Sequence, residues 1–253
     1  MSEETSRRKK LMVRGGIATA VLLVIAGIGV WWFLRDDAPD AVNLEDAVAV
    51  ATAEGPDDSV AESVAESEAV AGVWVVDPTI GEFTFESATG SFVGFRIAEE
   101  LSTIGSTTAV GRTGEVSGSI TIEGTSLTAT SIVANMSTVS TNDSRRDSKA
   151  RSALGVSEFP DAMFVLTEPI DLGTAAEDGS PVSVTAVGDL TIKGVTNQVE
   201  FELQAQLANG IVAVVGSTEV VFADYGVTVP SAPIILSVAD NGTVEFQLLF
   251  VRL

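Results

Sequence analysis

The stretch from residue 188 to residue 206 reads GDLTIKGVTNQVEFELQAQ, and its second half decides the fold class. From position 198 onward polar and apolar residues alternate without error, and the apolar positions are Val199, Phe201, Leu203 and Ala205. Because successive side chains of a β-strand point to opposite faces, this alternation predicts a strand with one wet face and one dry face. The dry face of such a strand contacts either a packed core or an apolar cavity, and the pattern alone leaves both open.

Further strand and turn signals extend over residues 73–253. Residues 115–123, EVSGSITIE, place Val116, Ile120 and Ile122 on one face. The pairs Asn209-Gly210 and Asn241-Gly242 each precede an apolar-rich run, and Asn-Gly is the strongest short signal of a β-hairpin turn. Antiparallel strands joined by tight turns predict an all-β domain, either a closed barrel or a sandwich.

Two short helices are expected among these strands. The charged stretch 142–154, NDSRRDSKARSAL, predicts a helix that Asn142 or Asp143 caps at its N-terminus. A second short helix is predicted over residues 98–102.

The composition excludes several classes of function. The 253 residues include 35 acidic and 14 basic ones, which gives a formal net charge of −21 and disfavours nucleic-acid binding. Cysteine and histidine are both absent. Their absence rules out thiolate nucleophiles, histidine-ligated zinc or haem, and Ser-His-Asp triads. We therefore predict no catalytic residues, no metal and no cofactor.

The N-terminal third divides into three parts. Residues 1–14 form a basic tail, and residues 15–34 carry no charge and are long enough, at roughly 30 Å, to cross a bilayer as a helix. The positive-inside rule then places the N-terminus in the cytoplasm and the C-terminal domain outside the cytoplasmic membrane, with a cleaved signal peptide as the alternative. Residues 35–72 contain acidic residues and, after Arg35, no basic ones, which predicts a mostly disordered linker, with a weak helix near 59–70, that folding does not need.

Five stretches, taken in order, resemble the YceI-like family, in the membrane-anchored form common in actinobacteria. They are SFVGFRI (91–97), VGRTGEVSGSITIEG (110–124), NMSTVSTNDSRRD (135–147), SEFPDAMF (157–164) and VGDLTIKGVTNQVEFEL (187–203). The resemblance implies a lipocalin-like antiparallel β-barrel over residues 73–253, with a cavity that takes up a polyisoprenoid or similar long-chain lipid without catalysis. Thr79 and Lys193 stand where many members carry histidine, so any histidine chemistry of those members does not transfer.

The resemblance also yields candidate site residues. The inward positions of the predicted strands, together with one helix–strand corner, are expected to line the cavity: Phe95, Val116, Ile120, Ile122, Phe159, Met163, Phe164, Leu190, Ile192, Phe201, Leu203, Phe222 and Phe246. Arg112 and Arg146 are candidates for a lipid headgroup, because arginine binds phosphate with two parallel hydrogen bonds, although pairing with surface carboxylates is the simpler interpretation.

Two other functions remain open at this point. One is an envelope interaction or stress-response module whose barrel is filled by its own side chains. The other is an enzyme. Acidic pairs occur at Glu99 and Glu100 and at Glu200 and Glu202, but the second pair falls on the wet face of its strand, and no nucleophile with a base is evident.

Overall fold

The computed structural model describes six ranges of the chain: 38–54, 70–102, 105–142, 144–176, 179–229 and 235–253. The predicted membrane segment 15–34 and the weak helix near 59–70 lie outside the described residues, apart from Val70. Within these ranges, no helix has the length and apolar character that a membrane crossing requires.

Thirteen strands of the described chain form one sheet in which every pairing is antiparallel. The first seven are β1 Gly72–Val76, β2 Phe92–Leu101, β3 Gly105–Thr113, β4 Val116–Glu123, β5 Ser126–Asn135, β6 Ser140–Thr141 and β7 Asp161–Leu166. The others are β8 Ile170–Asp171, β9 Val182–Ile192, β10 Val195–Ala208, β11 Ile211–Val221, β12 Ile235–Val238 and β13 Asn241–Arg252.

Eight of these strands close into a barrel. Their order is β1-β4-β5-β7-β9-β10-β11-β13, and pairing of β1 with β13 closes the ring. The free part of the same β13 edge pairs with β2, which continues the wall through β3 and β6. The predicted antiparallel barrel is therefore confirmed, and β10 lies within its wall, paired with β9 on one edge and with β11 on the other.

Two α-helices accompany the barrel in the described ranges, α1 at Leu44–Glu54 and α2 at Ser144–Leu154. The position of α2 is as predicted. Arg151 fixes its last turn by donating from Nε and Nη2 to the carbonyl oxygen of Val139 at 3.0 and 2.8 Å. At its first turn, the Asp147 carboxylate accepts hydrogen bonds from the backbone N–H and the hydroxyl of Thr141.

The predicted helix over residues 98–102 is wrong, because residues 98–101 complete strand β2. Their backbone pairs with β3 on one side and with β12 on the other. Ladder hydrogen bonds on both edges outweigh the weak helix preference of the sequence AEEL.

The hairpin turn predicted at Asn241-Gly242 is also wrong, since both residues lie inside β13. Asn241 pairs with Val221 and Gly242 with Val220. A side chain at position 242 would begin 2.8 Å from the ring of Phe222 and 2.9 Å from a backbone oxygen. The glycine permits this close approach and does not mark a turn. The hairpin at Asn209-Gly210 is confirmed, with Ala208 opposite Ile211.

Helix α1 corrects the prediction of a mostly disordered linker over residues 44–54, while residues 35–37 and 55–69 of that linker lie outside the described residues. Asn43 caps the helix by accepting a hydrogen bond from the backbone N–H of Asp46 at 2.9 Å. Ala47 and Ala51 are fully buried. They pack on a cluster from the outer face of the barrel: Ile80, Ile211, Ala213, Val215 and Leu249. The linker composition looked disordered because α1 buries alanine and valine, which leave little amphipathic signal.

Candidate functional site

The barrel encloses a cavity of about 580 Å³. That volume falls within the range of roughly 300–1,000 Å³ typical of small-molecule sites. Its wall is apolar over most of its extent, and the charged residues among those lining it are Glu99, Arg146 and Lys149.

Strand β10 contributes the central part of the wall. Phe201, Leu203 and Ala205 line the cavity, whereas Glu200 and Glu202 are exposed. The ring of Phe201 packs edge-on against Phe164 of β7 at 5.2 Å between centroids and against Phe246 of β13 at 5.4 Å. The dry face of β10 therefore touches a cavity, with aromatic rings from two other strands beside it.

Most of the residues predicted to line a cavity lie on its wall: Phe95, Ile120, Ile122, Met163, Phe164, Leu190, Ile192, Phe201, Leu203, Phe222 and Phe246. Whether they contact a ligand stays a prediction. Met163 borders the cavity, but its side chain is 40% exposed. It adjoins Phe164 in strand β7, so the two side chains point to opposite faces and cannot both face inward.

Two predicted residues do not reach the wall. Val116 is buried in the core around the barrel and is absent from the cavity lining. Phe159 is 36% exposed, and its ring covers Gly194 in the turn between β9 and β10. Of the predicted helix–strand corner, Phe159 therefore covers the hairpin between β9 and β10, whereas Met163 and Phe164 border the cavity.

Sequence reasoning missed one face of α2 and the segment after β11. Ala150, Ala153 and Leu154 of α2 line the cavity, as do Tyr225 and Val227. The spacing of the first three, at i, i+3 and i+4, was the signal that marks one helix face. Strand β11 also contributes wall residues, but its IVAVV run is apolar on both faces because α1 covers the outer one, so no alternation was visible.

The charged wall residues gather where α2 meets the end of β2, and we call this the polar end of the cavity (Glu99, Arg146 and Lys149). Arg146 Nη1 lies 3.1 Å from Glu99 Oε2, with the two side chains 25% and 10% exposed. The second charge of α2 at this end, Lys149, is exposed. Arg146, a predicted headgroup residue, therefore does reach the cavity.

Arg112, the other predicted headgroup residue, lies on the opposite surface of the wall. Its Nη2 donates to Glu245 Oε1 at 2.8 Å and to the carbonyl oxygen of Asp40 at 2.7 Å. Gly94 of β2 lies between Arg112 and Glu245 in the sheet. Because Gly94 has no side chain, the Arg112 side chain can pass over it, whereas a Cβ at position 94 would stand 2.8 Å from Arg112 Cγ. A second arginine, Arg96, pairs with Glu245 at 3.4 Å. Arg112 therefore belongs to a buried network of hydrogen bonds and ion pairs on the outer side of the wall, and it is not part of the candidate site.

Two hydroxyls on the wall have no hydrogen-bond partner among the described residues, those of Thr130 and Tyr225. Burial raises the pKa of Tyr225 above its ordinary value of 10.0, and the charge of Asp224 adds to the shift. The side chain of Asn197 opposes it, although it completes no hydrogen bond to the phenol.

Comparison with known proteins gives one family match and several structural ones. The family described as YceI-like domain matches residues 74–250. A polyisoprenoid binding domain from Saccharophagus degradans, implicated in plant cell wall breakdown, is 19% identical, with a TM-score of 0.55 over 71% of this chain and 98% of that one. None of the curated proteins matches the chain.

Two further solved structures are similar at lower scores. Burkholderia cenocepacia BcnA is 16% identical, with a TM-score of 0.49 over 63% of this chain and 95% of that one. A Campylobacter jejuni YCEI protein is 17% identical, with a TM-score of 0.44 over 55% and 82%.

Proposed function

The chain belongs to the YceI-like domain family, and from that premise we propose that its barrel binds a long-chain lipid of the polyisoprenoid kind and does so without catalysis. The observation that carries the proposal is the apolar cavity of about 580 Å³ inside the barrel. The Saccharophagus degradans domain that shares the fold is described as polyisoprenoid binding, which is consistent with this ligand class.

An isoprenoid tail suits such a wall because it is hydrocarbon with almost no capacity for hydrogen bonds. Each methylene moved from water into the cavity contributes about 0.8 kcal/mol. Several isoprene units therefore offset the cost of ordering the tail and of losing its free motion. Flexible branched chains need no exact polar geometry, so the lack of histidine and cysteine is no obstacle.

The headgroup belongs at the polar end. Arg146 and Lys149 supply positive charge there, and Glu99 holds Arg146 in place. A phosphate or another anionic headgroup would compete with Glu99 for Arg146, and arginine bonds to phosphate oxygens strongly because the donor is charged and its N–H groups are paired. This arrangement favours a lipid that enters tail first.

The alternative of a filled barrel loses support from the same cavity. A module that only presents an outer surface has no need for unfilled apolar space, because empty volume lined by apolar residues weakens packing at about 24 cal/mol per Å³. We therefore place lipid binding ahead of a surface-interaction or stress-response role.

The proposed location is outside the cytoplasmic membrane, tethered by residues 15–34. The uncharged run is long enough to span a bilayer and follows a basic tail. A lipid-binding barrel held beside a membrane lies next to the source of its lipid ligand.

The test of lipid binding is mass spectrometry of an organic extract of residues 38–253, purified after export in its native envelope. We expect a long-chain isoprenoid in near-stoichiometric amount. The matched control is Ala186→Trp, which places an indole in the cavity from a buried wall position. A folded parent protein that carries no lipid, and whose melting temperature does not respond to added long-chain prenol, would contradict the proposal.

A further inference from the structure

Residues 38–54 form a strap along the outside of the barrel, and its direction is fixed by contacts at both ends. The carbonyl oxygen of Pro39 accepts a hydrogen bond from Arg96 Nη1 at 2.7 Å. At the other end of α1, Asn209 Nδ2 donates to the carbonyl oxygen of Thr52 at 3.3 Å. Asn209 lies in the turn between β10 and β11. The strap therefore starts beside β2 and ends at that turn.

The start of the strap is close to the polar end of the cavity. Arg96 and Glu99 lie three residues apart on β2, which separates them by about 10 Å along the strand. The turn between β10 and β11 is at the opposite end of the barrel, together with the turn between β4 and β5. The eleven residues of α1 cover about 16 Å of the distance between the two ends.

Buried side chains hold the strap against the barrel, in addition to the hydrogen bonds at its two ends. Arg112 joins the Asp40 carbonyl to Glu245, which is 1% exposed. Ala47 and Ala51 of α1 are fully buried against the barrel. If the strap undocked, Arg96 and Arg112 would each lose a backbone carbonyl that accepts their hydrogen bonds, and the apolar cluster beneath α1 would be exposed.

We propose that the docked strap makes the tether to the membrane short and turns the polar end of the cavity toward the bilayer from which the chain emerges. The proposal rests on the proposed function for the anchor at residues 15–34. Only four peptide steps separate Leu34 from Ala38, a reach of at most about 14 Å. A free linker over 35–72 would instead have a root-mean-square reach of about 35 Å and would allow every orientation.

The consequence is a route for lipid. With the polar end facing the bilayer, a lipid leaves the membrane tail first past Glu99 and Arg146 and does not cross open water. Residues 55–69 follow the strap in the sequence, so their length should have no effect on where the barrel sits.

The test measures energy transfer from the barrel to an acceptor dye on the lipids of a nanodisc that holds the full chain. The chain has no cysteine, so single variants take one donor dye each. Ser148→Cys labels the polar end on α2, and Glu123→Cys labels the opposite end, where β4 turns into β5; both positions are exposed. We expect greater transfer from position 148 than from position 123.

Insertions separate the strap from the loop. About twenty flexible Gly/Ser residues inserted between Asp37 and Ala38 should abolish the difference between the two labels. The same insertion after Gly55 lengthens the chain equally but leaves the strap docked, and the difference should persist.

Equal transfer from both labels in the parent chain, or loss of the difference after the insertion at Gly55, would overturn the orientation. A chain that does not remain in the nanodisc would overturn it as well, while lipid in the extract of residues 38–253 would still support binding. Unequal transfer from a chain that never carries lipid would overturn the proposed function alone.

Discussion

At the scale of single residues, the cavity depends on side chains that have packing partners on one side and space on the other. Phe201 is 2% exposed, and it makes edge-on contacts with two other aromatic rings. Each such ring pair contributes about 0.5–1.5 kcal/mol beyond the area it buries. Its remaining surface lines the cavity. Phe201 is therefore expected to stabilise the fold through its ring contacts and to bind a ligand through the surface that faces the cavity.

Replacing Phe201 with alanine should lower the free energy of unfolding by about 2–3 kcal/mol, less than the roughly 3–5 kcal/mol of a filled core. The larger effect should be a loss of the rise in melting temperature that a long-chain prenol gives the parent domain, since a ligand stabilises the native state by mass action. Denaturant melts with and without prenol measure both. Glu202→Ala, on the exposed face of the same strand, is the control and should leave the prenol response intact. A stability loss of roughly 3–5 kcal/mol for Phe201→Ala, together with no rise in the melting temperature of the parent domain on adding prenol, would contradict lipid binding.

Tyr225 offers a second residue-scale prediction, because it is the single tyrosine of the chain. Its pKa is raised in the folded protein, so the unfolded chain ionises first as the pH rises past about 10. Ionisation of Tyr225 therefore leaves stability unchanged below pH 10 and lowers it as the pH rises from about 10 through the folded pKa.

Ultraviolet absorption of phenolate follows this one group directly. In the folded domain the phenolate should appear at higher pH than in the chain unfolded by urea. Tyr225→Phe should remove this contribution to the loss of stability above pH 10, and below it should be neutral or stabilising, because the hydroxyl has no partner. Phenolate formation in the folded domain at or below the pH of the unfolded chain would contradict the burial argument.

At the scale of elements, helix α1 changes the role of the acidic segment from spacer to part of the fold. Its two fully buried alanines, Ala47 and Ala51, pack against the outer face of β11 and β13. The helix also covers the apolar outer face of β11. Without it, that face would form an exposed apolar patch.

Two aspartate substitutions in the same helix separate docking from helix preference. Ala51 is fully buried, and Ala53 is exposed. Ala53→Asp should cost at most about 0.7 kcal/mol through helix propensity. Ala51→Asp places a carboxylate in an apolar interface, and we expect the helix to undock, at a cost of about 2–4 kcal/mol.

Calorimetry of residues 38–253 compares the two variants, and the chain from residue 70 gives the limit for complete removal. Equal effects of the two substitutions, or equal stability of the long and short chains, would show that the segment is dispensable, as its composition first indicated.

What could be foreseen from sequence followed the local strength of each signal. The alternation in β10 is strict and its outer face is wet, so both the strand and the inward side of Phe201 were predictable. Strand β11 has no wet face over its first half, and Arg112 looks like any surface arginine until β2 and β3 place it opposite Glu245. Docking of α1 and the outer polar network depend on pairings distant in the chain, which no local pattern encodes.

At the scale of the whole molecule, the apolar cavity and the buried polar network lie on opposite surfaces of the barrel wall. The inside holds the cavity, with charge at one end. The outside holds the network of Arg96, Arg112 and Glu245, together with the strap that starts the fold only a few residues beyond the predicted membrane segment. If residues 15–34 anchor the chain as proposed, one end of the barrel lies near the bilayer, and the membrane topology then determines whether the cavity meets a lipid.

The last prediction concerns that topology. We expect residues 15–34 to remain uncleaved and the barrel to face the outside, because the basic tail stays on the cytoplasmic side. Protease added to intact spheroplasts should therefore remove the barrel and leave a membrane-bound stub recognised through an epitope at the N-terminus. A cytoplasmic marker protein should survive the same treatment, which shows that the membrane stayed closed. If N-terminal sequencing finds that the mature protein begins after Leu34, the anchor is wrong. The strap would then brace a released carrier, and lipid would have to reach the cavity through water, where each exposed methylene costs about 0.8 kcal/mol.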